Sequence, residues 1–479
     1  MKKLLIPIFL IVGISLGLLM GTDPQLFEVQ ETYAAVSKTD LLNEFQGAYD
    51  EDIEATGVIH EINLVAAESK VELIPGEKTM TWSYNGVTPA EEIRIKLGDE
   101  LKINFENQLE QATSIHFHGI RVPNDMDGVP TVTQDFIEPG ENFVYQFIPK
   151  DAGTYWYHPH FESAEQIEMG LYGVIVVEDD TTELYSQDEV WLIDDWLLQS
   201  DYQIYPNFVT GHDLMHDGRW GNLVTVNSSI DETLTAQPGE RIRLRLVNTS
   251  NGRIYELNFG ELEATAIAVD GMLVGEVFDA EGFELAPGNR IDLDVTIPID
   301  AEGEEFTVYD KFTRSTIPLA KIIVEGDVVE TPQFDYPINP NVPSWEATGN
   351  EPDLVYELDS QRASGSGGMH GMMNLEWVIN GRAFSDIIPD EIESGEFVKI
   401  QFENESSRLH PMHIHGQFFK VISRDGQPVD EPYFRDTVLV HPNETVEVGM
   451  VPLDSGSWMN HCHILEHAEA GMMTIINVN

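Results

Sequence analysis

Apolar and polar residues alternate along much of the chain, which is the pattern of strands that bury one face. The segment "EEIRIKLGDELKINFENQL" at residues 91–109 contains two such runs around a Gly-Asp turn. Related segments follow at 232–250 and 390–406, each with a charged strand, a glycine turn, an alternating strand and then asparagine with polar residues. This weak internal repeat predicts an all-β fold built from three copies of one β-sandwich.

The repeat predicts three domains, at residues 56–182, 183–330 and 331–479. The acidic, proline-rich segment 330–352 is interpreted as the linker that leads into the third domain. Residues 23–55 are polar and acidic, so we expect a mobile or loosely docked lead-in before the first domain.

The first 22 residues have a short basic start and then an apolar run from Leu4 to Gly21. This pattern predicts a secretory signal and therefore an exported protein, at the cell surface, in the periplasm or outside the cell. The apolar run is slightly long for a signal and no A-x-A cleavage site follows Met20, so an uncleaved N-terminal anchor remains the alternative.

Charge and cysteine content narrow the classes of function. The chain carries 26 Lys and Arg against 83 Asp and Glu, a net charge of −57. Nucleic acid and anionic membrane surfaces are poor partners for such a surface, because like charges repel. It indicates either a solvated acidic coat, as in proteins from salty environments, or attraction of cationic substrates. An exported chain with one cysteine has no internal disulfide, which leaves Cys462 available for other chemistry.

Histidines concentrate in four short windows, "SIHFHGI", "GTYWYHPH", "RLHPMHIHG" and "HCHILEH", which hold ten of the fifteen in the chain. On a strand, side chains at positions i and i+2 point to the same face, so each H-x-H pair directs two imidazoles to one place. The four pairs are His116 with His118, His158 with His160, His413 with His415, and His461 with His463. Eight imidazoles are too many for one ion and predict a cluster of three metals.

Cys462 lies between two of these histidines and therefore faces the opposite side of its strand. His410 and His467 are spaced to reach that side, and Met472 can supply a weak axial thioether. Two histidines, a thiolate and a distant methionine are the ligands of a blue copper electron-transfer centre.

These motifs resemble those of the multicopper oxidases, the family of laccases, ascorbate oxidase and bacterial copper-efflux oxidases. The resemblance covers the chain from about residue 57 onwards and implies three cupredoxin-like Greek-key β-sandwich domains, with no copper ligands in the second. It implies four copper ions per chain, one of type 1, one of type 2 and two of type 3. By motif position, the resemblance implies that the type 1 copper is held by His410, Cys462, His467 and Met472. It implies that the type 2 copper is held by His116 and His413. Of the two type 3 ions, it assigns one to His118, His158 and His463 and the other to His160, His415 and His461. The implied reaction couples one-electron oxidations of a donor, through Cys462, to reduction of O₂ to water.

The resemblance also suggests how protons reach the cluster. Asp127 matches the family aspartate that helps to relay protons. Bacterial relatives often carry a glutamate directly after the last type 1 histidine, where this chain has Ala468 followed by Glu469, so the second proton donor stays open. For Asp436 a structural hydrogen-bonding role is favoured.

The donor is predicted to be a phenol or similar small molecule, which would make the enzyme a laccase. Oxidation of cuprous or manganous ions for metal tolerance is the alternative, and a non-catalytic copper-binding scaffold is a minor one. The segment 364–374, with Met369, His370, Met372 and Met373, favours Cu(I), since thioethers select that ion. Copper-efflux oxidases carry an acid and a methionine just before the first type 1 histidine, where this chain has Ser406 and Arg408, and this difference weakens the cuprous interpretation.

His212 and His216, in "GHDLMHDGRWG", form an i, i+4 pair if this segment is helical. We interpret them as a satisfied surface or core pair rather than as a further metal site.

Overall fold

The computed structural model describes residues 34–49, 52–345, 349–362 and 375–479. Within these ranges the chain forms thirty strands in six sheets and only four short α-helices. The all-β prediction is confirmed. None of the helices in the described ranges has both the length and the apolar character to cross a membrane.

The first two sheets come from residues 59–178. Their strands are β1 (Ile59–Ile74), β2 (Glu77–Tyr84), β3 (Ile93–Lys96), β4 (Glu100–Asn107), β5 (His116–His118), β6 (Asn142–Phe147), β7 (Gly153–His158) and β8 (Gly173–Glu178). One sheet has the order β2-β1-β4-β6 and the other β3-β8-β7-β5. Alternate residues of β4 are buried, as its sequence predicts, and they share a core with residues of β7 and β8. Helix α1 (Lys38–Phe45) precedes this pair, and α2 (Ser163–Glu168) lies between β7 and β8.

The next two sheets come from residues 187–324. Their strands are β9 (Gln187–Trp196), β10 (Leu223–Val226), β11 (Thr233–Ala236), β12 (Arg241–Asn248), β13 (Tyr255–Asn258), β14 (Ala264–Val269), β15 (Met272–Asp279), β16 (Glu284–Leu285), β17 (Arg290–Thr296), β18 (Glu305–Asp310) and β19 (Ile317–Val324). The orders are β10-β9-β12-β17-β14-β15 and β11-β19-β18-β13-β16. A short helix, α3 (Gly211–Met215), interrupts the connection from β9 to β10.

The last two sheets come from residues 354–478. Their strands are β20 (Leu354–Arg362), β21 (Leu375–Ile379), β22 (Asp390–Ile392), β23 (Val398–Asn404), β24 (His410–Ile414), β25 (Phe419–Arg424), β26 (Gln427–Pro428), β27 (Thr437–Val440), β28 (Thr445–Met450), β29 (Gly456–Cys462) and β30 (Met473–Val478). The orders are β21-β20-β23-β28-β25-β26 and β22-β30-β29-β24-β27, and helix α4 (Leu465–Glu469) joins β29 to β30.

The three repeated segments occupy equivalent places in the three pairs of sheets. Strands β4, β12 and β23 each pair in parallel with the first strand of their group and antiparallel with a later one. Each ends at a buried asparagine, Asn107, Asn248 or Asn404, whose amide donates to main-chain carbonyls of nearby loops. A buried amide needs acceptors for its hydrogens. The asparagine in the repeat therefore fixes the main chain of the neighbouring loops at one end of each sheet by hydrogen bonds.

Residues 34–49 are not the loosely docked segment that we expected for the lead-in. Helix α1 begins at a serine cap, and it buries Leu41 and Phe45 in the first core. The indole of Trp345, in the predicted linker, donates to the Leu41 carbonyl at 3.0 Å. The prediction rested on the polar and acidic composition of residues 23–55 and overlooked Leu41 and Phe45. These two apolar residues lie four positions apart and therefore on one face of the helix.

Candidate metal centres

Strand pairing brings the histidine motifs together in two places. In the first sandwich β5 lies antiparallel to β7, with His116 opposite His158. In the third, β24 lies antiparallel to β29, with His413 opposite His461 and Met412 opposite Cys462. Because side chains alternate between the two faces of a strand, the H-x-H imidazoles lie on one face and the cysteine thiol on the other, as the spacing predicts.

All eight predicted cluster histidines lie close together. Their ring nitrogens form three groups in which the candidate ligand atoms are within 4.8 Å of one another: His116, His118 and His413; His118, His158 and His463; and His160, His415 and His461. The last two groups have the membership predicted for the type 3 pair. The first contains both histidines predicted for type 2, together with His118.

Hydrogen bonds orient these rings so that one nitrogen points into the cluster. Four Nδ1 atoms donate to main-chain carbonyls at 2.8 or 2.9 Å: His116 to Asp127, His158 to Pro159, His413 to Asp436 and His461 to Cys462. The Nε2 atoms of His116, His158 and His413 are buried and have no hydrogen-bond partner among the described residues. Outer partners of this kind fix the tautomer and leave the inner lone pair for a metal.

Burial lowers the pKa of most of the cluster imidazoles. It lowers the pKa of His118, His158, His160, His415 and His463 well below the usual range, and neighbouring imidazoles lower each pKa further. For His461 burial, followed by the nearby His413, lowers the pKa to about 3. Neutral rings are the form that binds metal ions, so the lowered pKa values favour metal binding by these histidines.

The second group surrounds Cys462. Its Sγ lies 3.6 Å from His410 Nδ1 and 4.0 Å from His467 Nδ1, and the two Nδ1 atoms are 3.3 Å apart. All three residues are completely buried, and burial raises the pKa of the thiol far above its usual range. Met472 is also buried in this core, and its carbonyl accepts from the Cys462 amide at 3.1 Å.

The outer nitrogens of both imidazoles in this group are held by partners that sequence reasoning missed. His410 Nε2 donates to Ser406 Oγ at 2.8 Å, and His467 Nε2 donates to the main-chain carbonyl of His216 at 2.8 Å. The indole of Trp377 packs with its ring centroid 4.2 Å from that of His467. Ser406 therefore occupies the position at which copper-efflux oxidases are expected to carry an acid.

Two buried carboxylates join the histidine groups from outside. Asp127 has Oδ2 at 2.9 Å from His415 Nδ1 and Oδ1 at 3.2 Å from His116 Nδ1. Asp436 has Oδ1 at 3.2 Å from His118 Nε2 and forms an ion pair with Arg290 at 2.7 Å. Although burial raises the pKa of Asp436, Arg290 and the adjacent His413 lower it to about 2, so this carboxylate is ionised.

A cavity of about 370 Å³ borders the cluster on the side of His158, His160 and His461. Ala468 and Glu469 both line it, so the glutamate one position beyond the expected one still faces this space. The Glu469 carboxylate accepts from the Ala164 amide at 2.7 Å, and burial raises its pKa to about 8.

The second pair of sheets contributes no member to the ligand groups found in the described ranges. It nevertheless closes the cluster. Gly288 has φ +88°, and a Cβ there would lie 2.8 Å from His118 Cε1 and 3.1 Å from His463 Cδ2. The Pro-Gly pair at 287 and 288 indicates a turn in the sequence, but nothing local in it indicates contact with histidines of other domains.

The remaining candidates are separate from these groups. His212 and His216 form an exposed pair at helix α3, outside both centres. The methionine-rich segment, with Met369, His370, Met372 and Met373, lies outside the described residues.

The donor set fits copper in both centres. Imidazoles suit copper, and a buried thiolate with two histidines matches the blue copper type. The unpartnered, inward-facing nitrogens of the cluster are the atoms that such ions would use. Bound copper would supply one-electron chemistry at Cys462 and a place for O₂ among the histidines.

Comparison with known proteins agrees with this geometry. Two family models described as multicopper oxidase match residues 66–182 and 359–479. Multicopper oxidase MmcO of Mycobacterium tuberculosis is 30% identical over 440 residues, which cover 83% of each chain. A multicopper oxidase structure from Pseudomonas thermotolerans superposes with a TM-score of 0.77 at 33% identity, covering 88% of this chain and 100% of the other.

A metallo-oxidase structure from Campylobacter jejuni, also described as a multicopper oxidase, has a TM-score of 0.71 at 27% identity and covers 96% of this chain and 99% of the other. These structural relatives confirm the cupredoxin-like character of the sheets, and the sequence relatives are oxidoreductases that use copper. The chain belongs to the multicopper oxidases.

Proposed function

We propose that the physiological donor is a small metal cation, first of all Cu(I), which loses one electron at a time while O₂ is reduced to water. The observation that carries this choice is the environment of His467. Both imidazoles beside Cys462 have 0% exposure, and the outer nitrogen of His467 is occupied by the His216 carbonyl. A donor that must touch an imidazole edge directly therefore finds none exposed. An ion bound to the segment 211–216 would instead be connected to His467 through the hydrogen bond from His467 to the His216 carbonyl.

Charge supports the same choice. A net charge of −57 attracts cations and raises their local concentration at the surface. The similar Campylobacter jejuni protein is described as a metallo-oxidase, in keeping with a metal donor.

A phenolic donor, as in a laccase, is the second candidate. The residues before His410 favour it, because Ser406 replaces the expected acid. Arg408 adds a positive charge near His467: burial has the larger effect in lowering the pKa of His467, and Arg408 lowers that pKa further. A guanidinium near His467 disfavours a cation and leaves a neutral donor unaffected. Manganous ion is a further metal donor to include in tests.

We also propose that the protein is exported, with residues 1–22 as a signal or an anchor; these residues lie outside the described ranges. N-terminal sequencing of the protein recovered from its native host tests this. A mature N-terminus after residue 20 supports a cleaved signal, an intact terminus in the membrane fraction supports an anchor, and an intact terminus in the cytoplasm contradicts export.

Oxygen uptake by the copper-loaded protein tests the donor. Stabilised Cu(I), Mn(II) and a phenol are compared at matched concentrations, with the uncatalysed oxidation of each subtracted. We expect the highest kcat/KM with Cu(I). Efficient uptake with the phenol and none with Cu(I) would make the enzyme a laccase.

A further inference from the structure

The segment that covers His467 carries an exposed histidine pair that neither centre uses. His212 and His216 lie four residues apart at helix α3, and their rings stack with centroids 4.2 Å apart and planes inclined by 10°. The His212 side chain is 74% exposed. The helix is held in place by Thr210 and Asp213, whose side chains cap each other's main-chain amides.

A hydrogen bond of His216 indicates which of its ring nitrogens is available to a metal. His216 Nδ1 donates to the His212 carbonyl at 2.9 Å, so in the neutral ring Nε2 carries the lone pair. A main-chain acceptor for the second ring nitrogen is the usual arrangement of a metal-binding histidine. Met215 lies three residues after His212, on the same helix face, and is 49% exposed. Two imidazoles and a thioether are a donor set for a soft cation.

The main chain of the same segment contacts the Cys462 centre. His216, whose ring faces solvent, gives its carbonyl to His467 Nε2 at 2.8 Å. Two residues earlier, the Leu214 carbonyl accepts from the indole of Trp377 at 3.1 Å, and that indole packs on His467. The path from the His216 ring to the His467 ring is therefore short: it consists of the covalent bonds within His216 and the one hydrogen bond from His467 to the His216 carbonyl.

We propose that His212, Met215 and His216 dock the donor cation, a monovalent copper ion, and that its electron reaches His467 through the main chain of His216. This proposal rests on the proposed function. Each Cu(I) loses one electron and leaves as Cu(II), and four such events supply the electrons that, with four protons, reduce one O₂ to two waters. The carboxylate of Asp213 adds negative charge beside the pair, with Oδ1 at 3.7 Å from His212 Nδ1.

The test uses silver(I), a soft cation that is not oxidised, titrated calorimetrically into the copper-loaded protein. In the variant His212→Gln with His216→Gln we expect silver affinity at this site and kcat/KM for Cu(I) each to fall at least about tenfold. The blue absorption stays unchanged, because the hydrogen bond to His467 comes from the main chain of residue 216. His60→Gln, at a partly exposed histidine paired with Asp99 in the first sandwich, is the matched control and changes neither property.

A second variant, with Met369, Met372 and Met373 replaced by leucine, separates the two candidate binding segments. The docking site would be refuted if silver binding and Cu(I) turnover persisted in the histidine variant, or if only the methionine variant lost them. Either result would leave the proposed oxidation of Cu(I) standing. Wild-type protein that binds silver at this pair but consumes no O₂ with Cu(I) would instead refute the proposed donor and, with it, the electron route.

Discussion

At the scale of single residues, the alternation of side chains along β29 explains why the only cysteine stands between two histidines. His461 and His463 face the cluster, while Cys462 faces His410 and His467 on the other side. Eleven of the twelve predicted ligands, all but Met472, lie in the candidate groups of the described residues. The grouping of the H-x-H pairs and the opposite face of Cys462 could be predicted from the sequence, because strand spacing fixes which side chains share a face. The His216 carbonyl could not, since a main-chain acceptor leaves no signature in residue identity.

Asp127 gives a prediction at this scale. In Asp127→Asn the amide can accept from only one of the imidazoles of His116 and His415, and its NH₂ opposes the other. We expect kcat to fall about 10- to 100-fold, with the blue absorption retained, because loss of an outer partner disturbs a ligand without removing it. Steady-state O₂ uptake and the visible spectrum measure this, and an unchanged kcat would show that Asp127 neither orients the ligands nor serves proton transfer.

At the scale of elements, the centres are assembled by segments distant in sequence. The cluster lies between β5 and β7 of the first sandwich and β24 and β29 of the third, and the second sandwich closes it through the turn before β17. The strands and the repeat could be predicted from periodicity. The docking of α1 and the closure by Gly288 could not, because both depend on partners far along the chain.

Gly288→Ala tests this closure. The added methyl would overlap His118 and His463, so we expect loss of copper from the cluster and a drop in kcat of about a hundredfold, as for a displacement near 1 Å. Copper content and O₂ uptake are the measurements. Gly282→Ala is the matched control, since Gly282 has a similar φ of +78° but open space around its Cβ position. If both variants lose activity equally, backbone strain and not contact with the histidines is the cause.

At the scale of the whole molecule, the net charge of −57 controls stability as well as donor attraction. The structure pairs many buried arginines with carboxylates, for example Arg290 with Asp436, but acidic residues far outnumber basic ones. Most carboxylates therefore repel one another in the folded state, and salt screens that repulsion.

We predict that the melting temperature rises by several degrees from low to molar salt. Differential scanning calorimetry of the copper-loaded protein at constant pH measures it. A melting temperature independent of salt would contradict the interpretation of the acidic surface as an adaptation to salt and would leave attraction of cations as its explanation.

The most direct test of the account is O₂ uptake by copper-loaded Cys462→Ser, because every electron is proposed to reach O₂ through Cys462. The substitution replaces the sulfur by a smaller oxygen, so we expect the fold to be retained while the thiolate is lost. We predict a protein without blue colour, with the histidine cluster still loaded, that consumes no O₂ above background with either Cu(I) or a phenol. Sustained uptake with either donor would contradict electron entry at Cys462.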